Sequence, residues 1–221
     1  MDRLDGLLDA EERRAIDCLT RPIDIQRFLD ELPYSTDPFY RCPLRVLRER
    51  RAHCFDGGLF AAAALGRIGY PPLILDMFPD AEDDEHLLAP FKEDGHWGAV
   101  AKSNFVGLRF REPIHRNLRE LMISYFEQFY NFRRRKTLVS YTRPLNLEAF
   151  DRLNWTASDE ALEAIARRTE QVHRYPLLSP RMSARLSPVD ERSYRAGLLG
   201  ADPKGLFGSS ENCEDNVKKN S

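Results

Sequence analysis

The strongest helix-forming run of the sequence is Arg51-Ala52-His53-Cys54-Phe55-Asp56-Gly57-Gly58-Leu59-Phe60-Ala61-Ala62-Ala63-Ala64-Leu65, in which a cysteine directly precedes an Ala- and Leu-rich segment. A helix N-terminus carries unpaired backbone N–H groups and a partial positive charge, which favours a thiolate. The thiolate is the nucleophilic form of cysteine. The stretch therefore predicts a helix starting at about Cys54 and a nucleophile at its first residue. A packed, inert thiol is the alternative, because free cysteine is often buried.

Length and charge indicate one globular domain. The chain has 221 residues, of which 42% are hydrophobic, and its 33 basic residues nearly balance its 35 acidic ones. We predict a single domain over residues 1–204, with helical extensions at both ends, and a disordered tail over residues 205–221, where apolar residues are few. The net charge of -2 gives no overall attraction to nucleic acid or to an anionic membrane.

The sequence also predicts a cytoplasmic protein. It contains no run of about 18 apolar residues that would span a membrane. Its first residues are charged and lack the apolar core of a signal peptide. The four cysteines follow no repeated spacing, which argues against a disulfide framework and against a zinc knuckle: Cys18, Cys42, Cys54 and Cys213.

Hydrophobic periodicity predicts helices first and strands after them. Apolar residues three and four apart indicate helices at 10–19, 23–32 and 42–49, and the Cys54 helix should end at Gly66 or Gly69. Strands are then expected at 72–77, 86–91 and 96–101, the last two joined by a turn at Glu93-Asp94-Gly95. Further along, the patterns favour a helix at 114–131, a strand at 137–141 and a helix N-capped by Ser158 that runs to about 172. The predicted class is α+β, with helices packed on a small antiparallel sheet.

A nucleophilic cysteine needs a base, and the base needs a group that orients it. His86 opens the first strand of the hairpin, and Asn104 lies just past the end of the second strand. A strand start and the end of the next strand are neighbours across a hairpin. We therefore expect Asn104 to contact one ring nitrogen of His86, which leaves the other nitrogen for Cys54.

These segments resemble the core of the transglutaminase-like superfamily. The resemblance covers about residues 45–110 and rests on five stretches taken in order: His53-Cys54-Phe55-Asp56-Gly57-Gly58, Gly69, Leu73-Ile74-Leu75-Asp76, Asp84-Glu85-His86-Leu87-Leu88 and Gly95-His96-Trp97-Gly98-Ala99-Val100. In that family a helix carries the cysteine, a following strand carries the histidine, and an Asp or Asn on the next strand completes a papain-like triad. The resemblance thus implies a papain-like α+β fold, with Cys54 as nucleophile and His86 as base.

The third member departs from the family pattern. Ala101 stands where the family usually has an Asp, about four positions after the tryptophan, so Asn104 becomes the predicted orienting residue. We expect Trp97 and Arg109 to contact the substrate, and either Arg109 or Arg111 could hold a substrate carboxylate. Asp56 is interpreted as a cap-region acid.

Five alternatives remain open from the sequence. His96 is a rival base, and His53 could perturb the thiol, although neighbours at a helix start usually point apart. A zinc site would use His53, Cys54, His86 and His96, whose spacings match no familiar ligand set. A nucleic-acid surface would use Arg133-Arg134-Arg135-Lys136 with Tyr130, Phe132 and Tyr141. A non-catalytic binding module that kept the fold is favoured by the Ala at position 101.

The sequence thus predicts a transglutaminase-like cysteine enzyme that acts on an amide or another acyl bond through a Cys54-His86-Asn104 triad. The expected partner is a peptide, a protein or a small amide, with no membrane and no nucleic acid. Hydrolysis is favoured over crosslinking. No cofactor and no metal are predicted, since no calcium cluster is evident.

Overall fold

The computed structural model describes residues 2–206, so most of the predicted tail lies outside the described residues. The helices in this range are α1 (Asp2–Asp5), α2 (Ala10–Asp17), α3 (Pro22–Asp30), α4 (Pro43–Glu49), α5 (Cys54–Arg67), α6 (Leu118–Phe126), α7 (Glu160–Gln171), α8 (Pro180–Ser183) and α9 (Glu191–Gly197). Short 3₁₀ helices lie at Val106–Leu108, Leu147–Leu153 and Pro203–Gly205. The predicted helices before residue 70 are confirmed, each to within a few residues.

One antiparallel sheet of seven strands forms the centre of the domain. Its strands are β1 (Leu73–Pro79), β2 (His86–Glu93), β3 (His96–Val100), β4 (Arg111–His115), β5 (Leu138–Thr142), β6 (Leu145–Asn146) and β7 (Arg174–Pro176). The order is β4-β3-β2-β1-β5-β7, and β6 pairs with β1. The predicted α+β class with helices on an antiparallel sheet is confirmed, although the sheet is larger than the expected small one.

The sheet separates two apolar clusters. Successive residues of a strand point to opposite faces, so Ile74 of β1 joins the cluster around α5 while the next residue, Leu75, joins the cluster around α6. Helix α5 lies against β2 and is buried from Cys54 to Gly66. Phe60 of α5 stacks on Phe28 of α3 with ring centroids 4.7 Å apart. This burial fixes the N-terminus of α5 near the start of β2.

A buried ionic network anchors the start of α5. The Asp56 carboxylate, 0% exposed, accepts hydrogen bonds from the backbone N–H groups of Arg41 (2.9 Å) and His53 (3.1 Å). The Arg41 guanidinium is also buried and donates to Glu49 (2.7 Å) and Ser35 (3.0 Å). The interpretation of Asp56 as a cap-region acid is therefore confirmed.

The hairpin turn of β2 and β3 also agrees with its sequence. Asp94 and Gly95 both have positive φ, 46° and 81°, as a two-residue hairpin turn of this hand requires. Strand β2 consequently runs from His86 at one end of the sheet to the turn at the other end.

Two predicted boundaries are wrong. The helix expected from residue 114 begins at Leu118, because Ile114 belongs to β4, which pairs with β3, and Asn117 caps the helix. The helix expected to be capped by Ser158 has Asp159 at its N-cap position instead. The Asp159 carboxylate is engaged elsewhere, with the Cys42 backbone N–H at 2.8 Å and Arg45 at 2.6 Å.

No helix between residues 2 and 206 is both long and apolar enough to cross a membrane. Within the same residues, Cys18, Cys42 and Cys54 are all free thiols.

The paired glycines of α5 give a matched test of its packing. A Cβ on Gly57 would lie 2.2 Å from the Lys102 Cβ, whereas a Cβ on Gly58 would lie 2.8 Å from the Leu87 Cδ2 and 3.2 Å from its Cγ. We expect Gly57→Ala to lower the free energy of unfolding by about 1–3 kcal/mol. Gly58→Ala should cost clearly less, because its clash is smaller and Ala gains about 1 kcal/mol of helix propensity. Urea unfolding of both variants checks this, and an equal loss in both would contradict it.

Candidate active site

The Cys54 thiol lies at the N-terminus of α5 in a nearly closed environment. Its residue is 6% exposed. Its Sγ lies 3.3 Å from His53 Nδ1 and 3.9 Å from the backbone carbonyl oxygen of Glu85. The close approach of His53 was not expected, since the two residues are neighbours in sequence. The imidazole of His53, the N-cap residue of α5, is thus in direct contact with the Cys54 thiol.

His86 is the imidazole from the sheet. It is the first residue of β2 and is buried. Its Nε2 lies 2.8 Å from the Leu108 carbonyl oxygen. A carbonyl only accepts, so Nε2 carries the proton and Nδ1 keeps the free lone pair of the neutral ring. Cys54 and His86 line the same cavity, and the imidazole of His86 lowers the pKa of the Cys54 thiol.

Burial has the larger effect on Cys54, however. Burial raises the pKa of the Cys54 thiol above its usual range, and the nearby His86 side chain offsets this only in part. The sequence-based expectation of an easily deprotonated thiol is therefore wrong for the closed site. A helix N-terminus stabilises a thiolate by a fraction of a charge, while removal of water penalises the whole charge.

Tyr34 is a neighbour of Cys54 that the sequence analysis missed. Its ring lies 5.3 Å from the His53 ring, centroid to centroid, and it lines the same cavity as Cys54. Burial raises the pKa of Tyr34 well above its usual range, and the nearby Cys54 thiol raises it further. Tyr34 belongs to the loop before α4 and reaches the site through a parallel bridge to Ala52. No motif signalled this pairing.

Asn104 does not contact His86 in the structure. Its amide nitrogen donates to the Asp202 carbonyl at 2.8 Å, and its amide oxygen accepts from the Asp202 backbone N–H at 2.8 Å. The orienting contact of His86 comes from Leu108 instead. The predicted His86–Asn104 hydrogen bond is therefore wrong, because a segment 98 residues downstream satisfies the amide. Asn104 still lines a cavity next to Cys54.

The two predicted substrate-binding residues also lie elsewhere. Arg109 forms an ion pair with Asp30 at 3.1 Å. Trp97 packs beside the second apolar cluster and pairs with Lys92 across the hairpin. Arg111 donates hydrogen bonds to the Ser124 hydroxyl and the Gly107 carbonyl, and its guanidinium stacks on the Tyr125 ring. None of these side chains lines the cavities that adjoin Cys54.

His96, the rival base, lies at the wrong end of β2. His96 pairs with Glu93 beside the turn. Glu93 is seven residues from His86 along β2, a distance of about 23 Å in an extended strand. The four residues of the possible zinc site are therefore not brought together. Among residues 2–206 no group of three or more His, Cys, Asp and Glu side chains is arranged to hold a metal ion.

The basic run Arg133–Lys136 is engaged with acidic side chains rather than left free for nucleic acid. Arg135 pairs with Asp80 at 2.8 Å and with Glu82 at 2.5 Å. Arg134 pairs with Glu191, and Lys136 with Glu127. The run thereby holds one end of an acidic loop, residues 80–85.

The acidic loop forms one wall of the site. Thr137 donates a hydrogen bond to Asp83 at 2.5 Å, and burial raises the pKa of Asp83 to about 6. The Asn131 amide donates to the Glu82 carbonyl at 3.1 Å. These contacts place Asp84 and Glu85 next to Cys54.

Two cavities meet at the thiol. The first, which we call the Asn104 cavity, has a volume of about 70 Å³ and is lined by Tyr34, His86, Asn104, Phe129, Tyr130 and Gly205, among others. The second, the Asp76 cavity, has a volume of about 100 Å³ and is lined by Tyr40, Phe55, Asp76, Leu87, Thr169 and Glu170, among others. Both include His53, Cys54, Asp84 and Glu85. A ligand that filled both cavities would cross the thiol.

Comparisons with known proteins give a distant structural likeness. No family model matches the chain, and no curated protein matches its sequence. Among solved structures, EGTA-treated LapG from Legionella pneumophila is 13% identical over 50% of this chain and 73% of that chain, with a TM-score of 0.37. Calcium-bound LapG is 14% identical over 50% of this chain and 75% of that chain, also at 0.37. This likeness is a distant fold relationship and assigns no activity to the chain.

Proposed function

We propose that the chain is a cysteine-dependent enzyme that cleaves or transfers an acyl group, with Cys54 as nucleophile and His86 as general base. Its substrates would be peptides, proteins or small amides. The observation that carries the proposal is that the buried Cys54 thiol and the His86 imidazole line the same cavity, with the Nε2 of His86 fixed by the Leu108 carbonyl at 2.8 Å. A nucleophile, a base and a group that orients the base are the minimum set for covalent acyl transfer.

The reaction begins from a neutral thiol, because burial disfavours the thiolate at rest. As Sγ of Cys54 bonds to the acyl carbon, its proton passes to Nδ1 of His86. Collapse of the tetrahedral intermediate breaks the bond to the leaving amine, which takes that proton from His86. A water molecule, deprotonated by His86, then attacks the thioester and regenerates the thiol and the acid product. An amine in place of the water would give transfer.

The oxyanion of the tetrahedral intermediate needs hydrogen-bond donors. The candidates are the backbone N–H of Cys54, at the N-terminus of α5, and the hydroxyl of Tyr34, which lines the same cavity as Cys54.

The Leu108 carbonyl would orient the His86 ring, the role that the sequence predicts for Asn104. It selects the ring tautomer of His86 as a triad acid would. A neutral carbonyl stabilises the imidazolium less than a carboxylate does. Asn104 would instead hold residues 202–205 against the site, since Gly205 also lines the Asn104 cavity.

The activated ester p-nitrophenyl acetate tests the nucleophile without knowledge of the natural substrate. We expect a burst of p-nitrophenolate equal to the enzyme concentration, with the acetyl group found on the Cys54 peptide by mass spectrometry. Cys54→Ser should abolish the burst, whereas Cys18→Ser, at an exposed thiol, should keep it. Acetylation of Cys18 alone would contradict the proposal.

The binding-module alternative is favoured by one observation, the closure of the site over a thiol with a raised pKa. That reading predicts no burst from Cys54, so the same experiment separates the two functions.

A further inference from the structure

Asp76 is the unexplained group beside the proposed nucleophile. It lies in β1 opposite Leu87 of β2, on the face of the sheet that carries α5. It is 4% exposed, and its Oδ1 has no hydrogen-bond partner among the described residues. It lines the Asp76 cavity together with Cys54. A buried carboxyl oxygen without a partner costs free energy, so it calls for an explanation.

The charges around this cavity have one sign. Glu85, Asp84 and Glu170 are the other acids that line it, and no Lys or Arg side chain of the described residues does so. Arg174 is not among the residues that line it, and its guanidinium stacks on the Phe78 ring, 3.5 Å from the ring centroid. Arg174 lowers the pKa of Asp76, yet burial raises that pKa well above its usual range, and Glu85 and Asp84 raise it further. Arg174 therefore leaves Asp76 without full compensation.

The other side chains that line the cavity are suited to the alkyl stem and the charged group of an organic cation. Tyr40 and Phe55 pack with ring centroids 4.4 Å apart, and Leu87 and Ala166 complete the apolar part. Aromatic faces attract ammonium and guanidinium groups, and aliphatic walls accommodate the methylenes that carry them. An anionic or purely apolar ligand would leave Asp76 uncompensated.

We propose that the Asp76 cavity binds a protonated amine or a guanidinium of the substrate, with Asp76 as the group that recognises it. This subsite rests on the proposed function for its role in catalysis, because the bound cation would place the neighbouring acyl carbon at Cys54. The expectation that the ligand is a cation rests only on the residues that line the cavity and does not depend on the proposed function. The acyl enzyme would then prefer a basic residue, lysine or arginine, or a small molecule with a basic side chain, at the position that enters this cavity.

Agmatine, a small guanidinium with an alkyl stem, is the probe, and protection of Cys54 from iodoacetamide is the measurement. The wild-type chain is alkylated at high pH with and without agmatine, and each cysteine is followed by mass spectrometry. At ten times its dissociation constant, agmatine should slow alkylation of Cys54 by about tenfold. Alkylation of the exposed Cys18 should not change. N-butylurea, a urea analogue of agmatine that lacks both of its cationic groups, should give no protection, a comparison that needs no variant.

Asp76→Asn keeps the shape of the side chain and removes its charge, so it should fold and melt no lower than the wild type. We expect it to abolish protection by agmatine. Asp24→Asn is the matched control, because it removes the same charge from an ion pair with Arg21 on α3, and it should keep protection.

Equal protection by the urea analogue, protection that survives in Asp76→Asn, or no protection of the wild type would each overturn the subsite. Agmatine protection together with no acetyl burst from Cys54 would leave the subsite standing and overturn the proposed enzyme. An acetyl burst from Cys54 without agmatine protection would leave the proposed enzyme standing and overturn the subsite.

Discussion

His86→Ala is expected to slow acetylation of Cys54 by p-nitrophenyl acetate by about 100- to 10,000-fold, the range that a positioned general base contributes. The reason is the starting state of the thiol. Burial disfavours the Cys54 thiolate, and His86, whose Nε2 is held by the Leu108 carbonyl, is the base that we propose. Stopped-flow measurement of the p-nitrophenolate burst gives the rate directly.

His96→Ala is the matched control for this prediction. It removes an imidazole from the same hairpin, at the far end of β2, and should leave the burst rate unchanged. His53→Ala tests the contribution of the second imidazole. The Nδ1 of His53 lies 3.3 Å from the Cys54 Sγ, and burial lowers the pKa of His53. If His53→Ala lost the burst and His86→Ala kept it, the base would be His53 and the assignment of His86 would be wrong.

Asp56→Ala is expected to lower the free energy of unfolding by about 3–5 kcal/mol, as removal of one member of a buried ionic network does. The substitution leaves two buried N–H groups, of Arg41 and His53, without their acceptor. It also removes the carboxylate that lies 3.8 Å from the Arg41 guanidinium. Urea unfolding followed by circular dichroism measures the loss.

Asp17→Ala is the control for Asp56→Ala. Asp17 pairs with Arg67 at 2.8 Å on the surface, where an ion pair contributes about 0–1 kcal/mol. A loss at position 56 no larger than the loss at position 17 would show that the network does not anchor the start of α5.

Local chemistry explains what the sequence predicted correctly. The Ala-rich run after Cys54 forms a helix in any apolar setting, and Asp94-Gly95 specifies a tight hairpin. With those two features in place, β2 begins at His86 near the N-terminus of α5, so elements close in sequence bring Cys54 and His86 to the same cavity. The α+β class follows from the same elements.

The missed features depend on contacts between distant parts of the chain. Asn104 has suitable chemistry for a triad, but Asp202 satisfies its amide from a segment with no sequence signal for docking. Arg109 likewise pairs with Asp30 of α3 instead of facing the cleft. Tyr34 reaches the thiol through a bridge to Ala52 that no periodicity predicts. Burial of Cys54, which reverses the expected shift of its pKa, is a property of the closed site and not of its helix.

The central claim is that His86 offsets the burial of the Cys54 thiol, and the pH dependence of iodoacetamide alkylation tests it most directly. The rate at Cys54 should rise at higher pH than the rate at the exposed Cys18 of the same chain, because burial raises the pKa of Cys54. His86→Ala, and His86→Leu with its retained volume, should move the Cys54 profile to still higher pH. Profiles of Cys54 that coincide in the wild type and both variants would contradict the account.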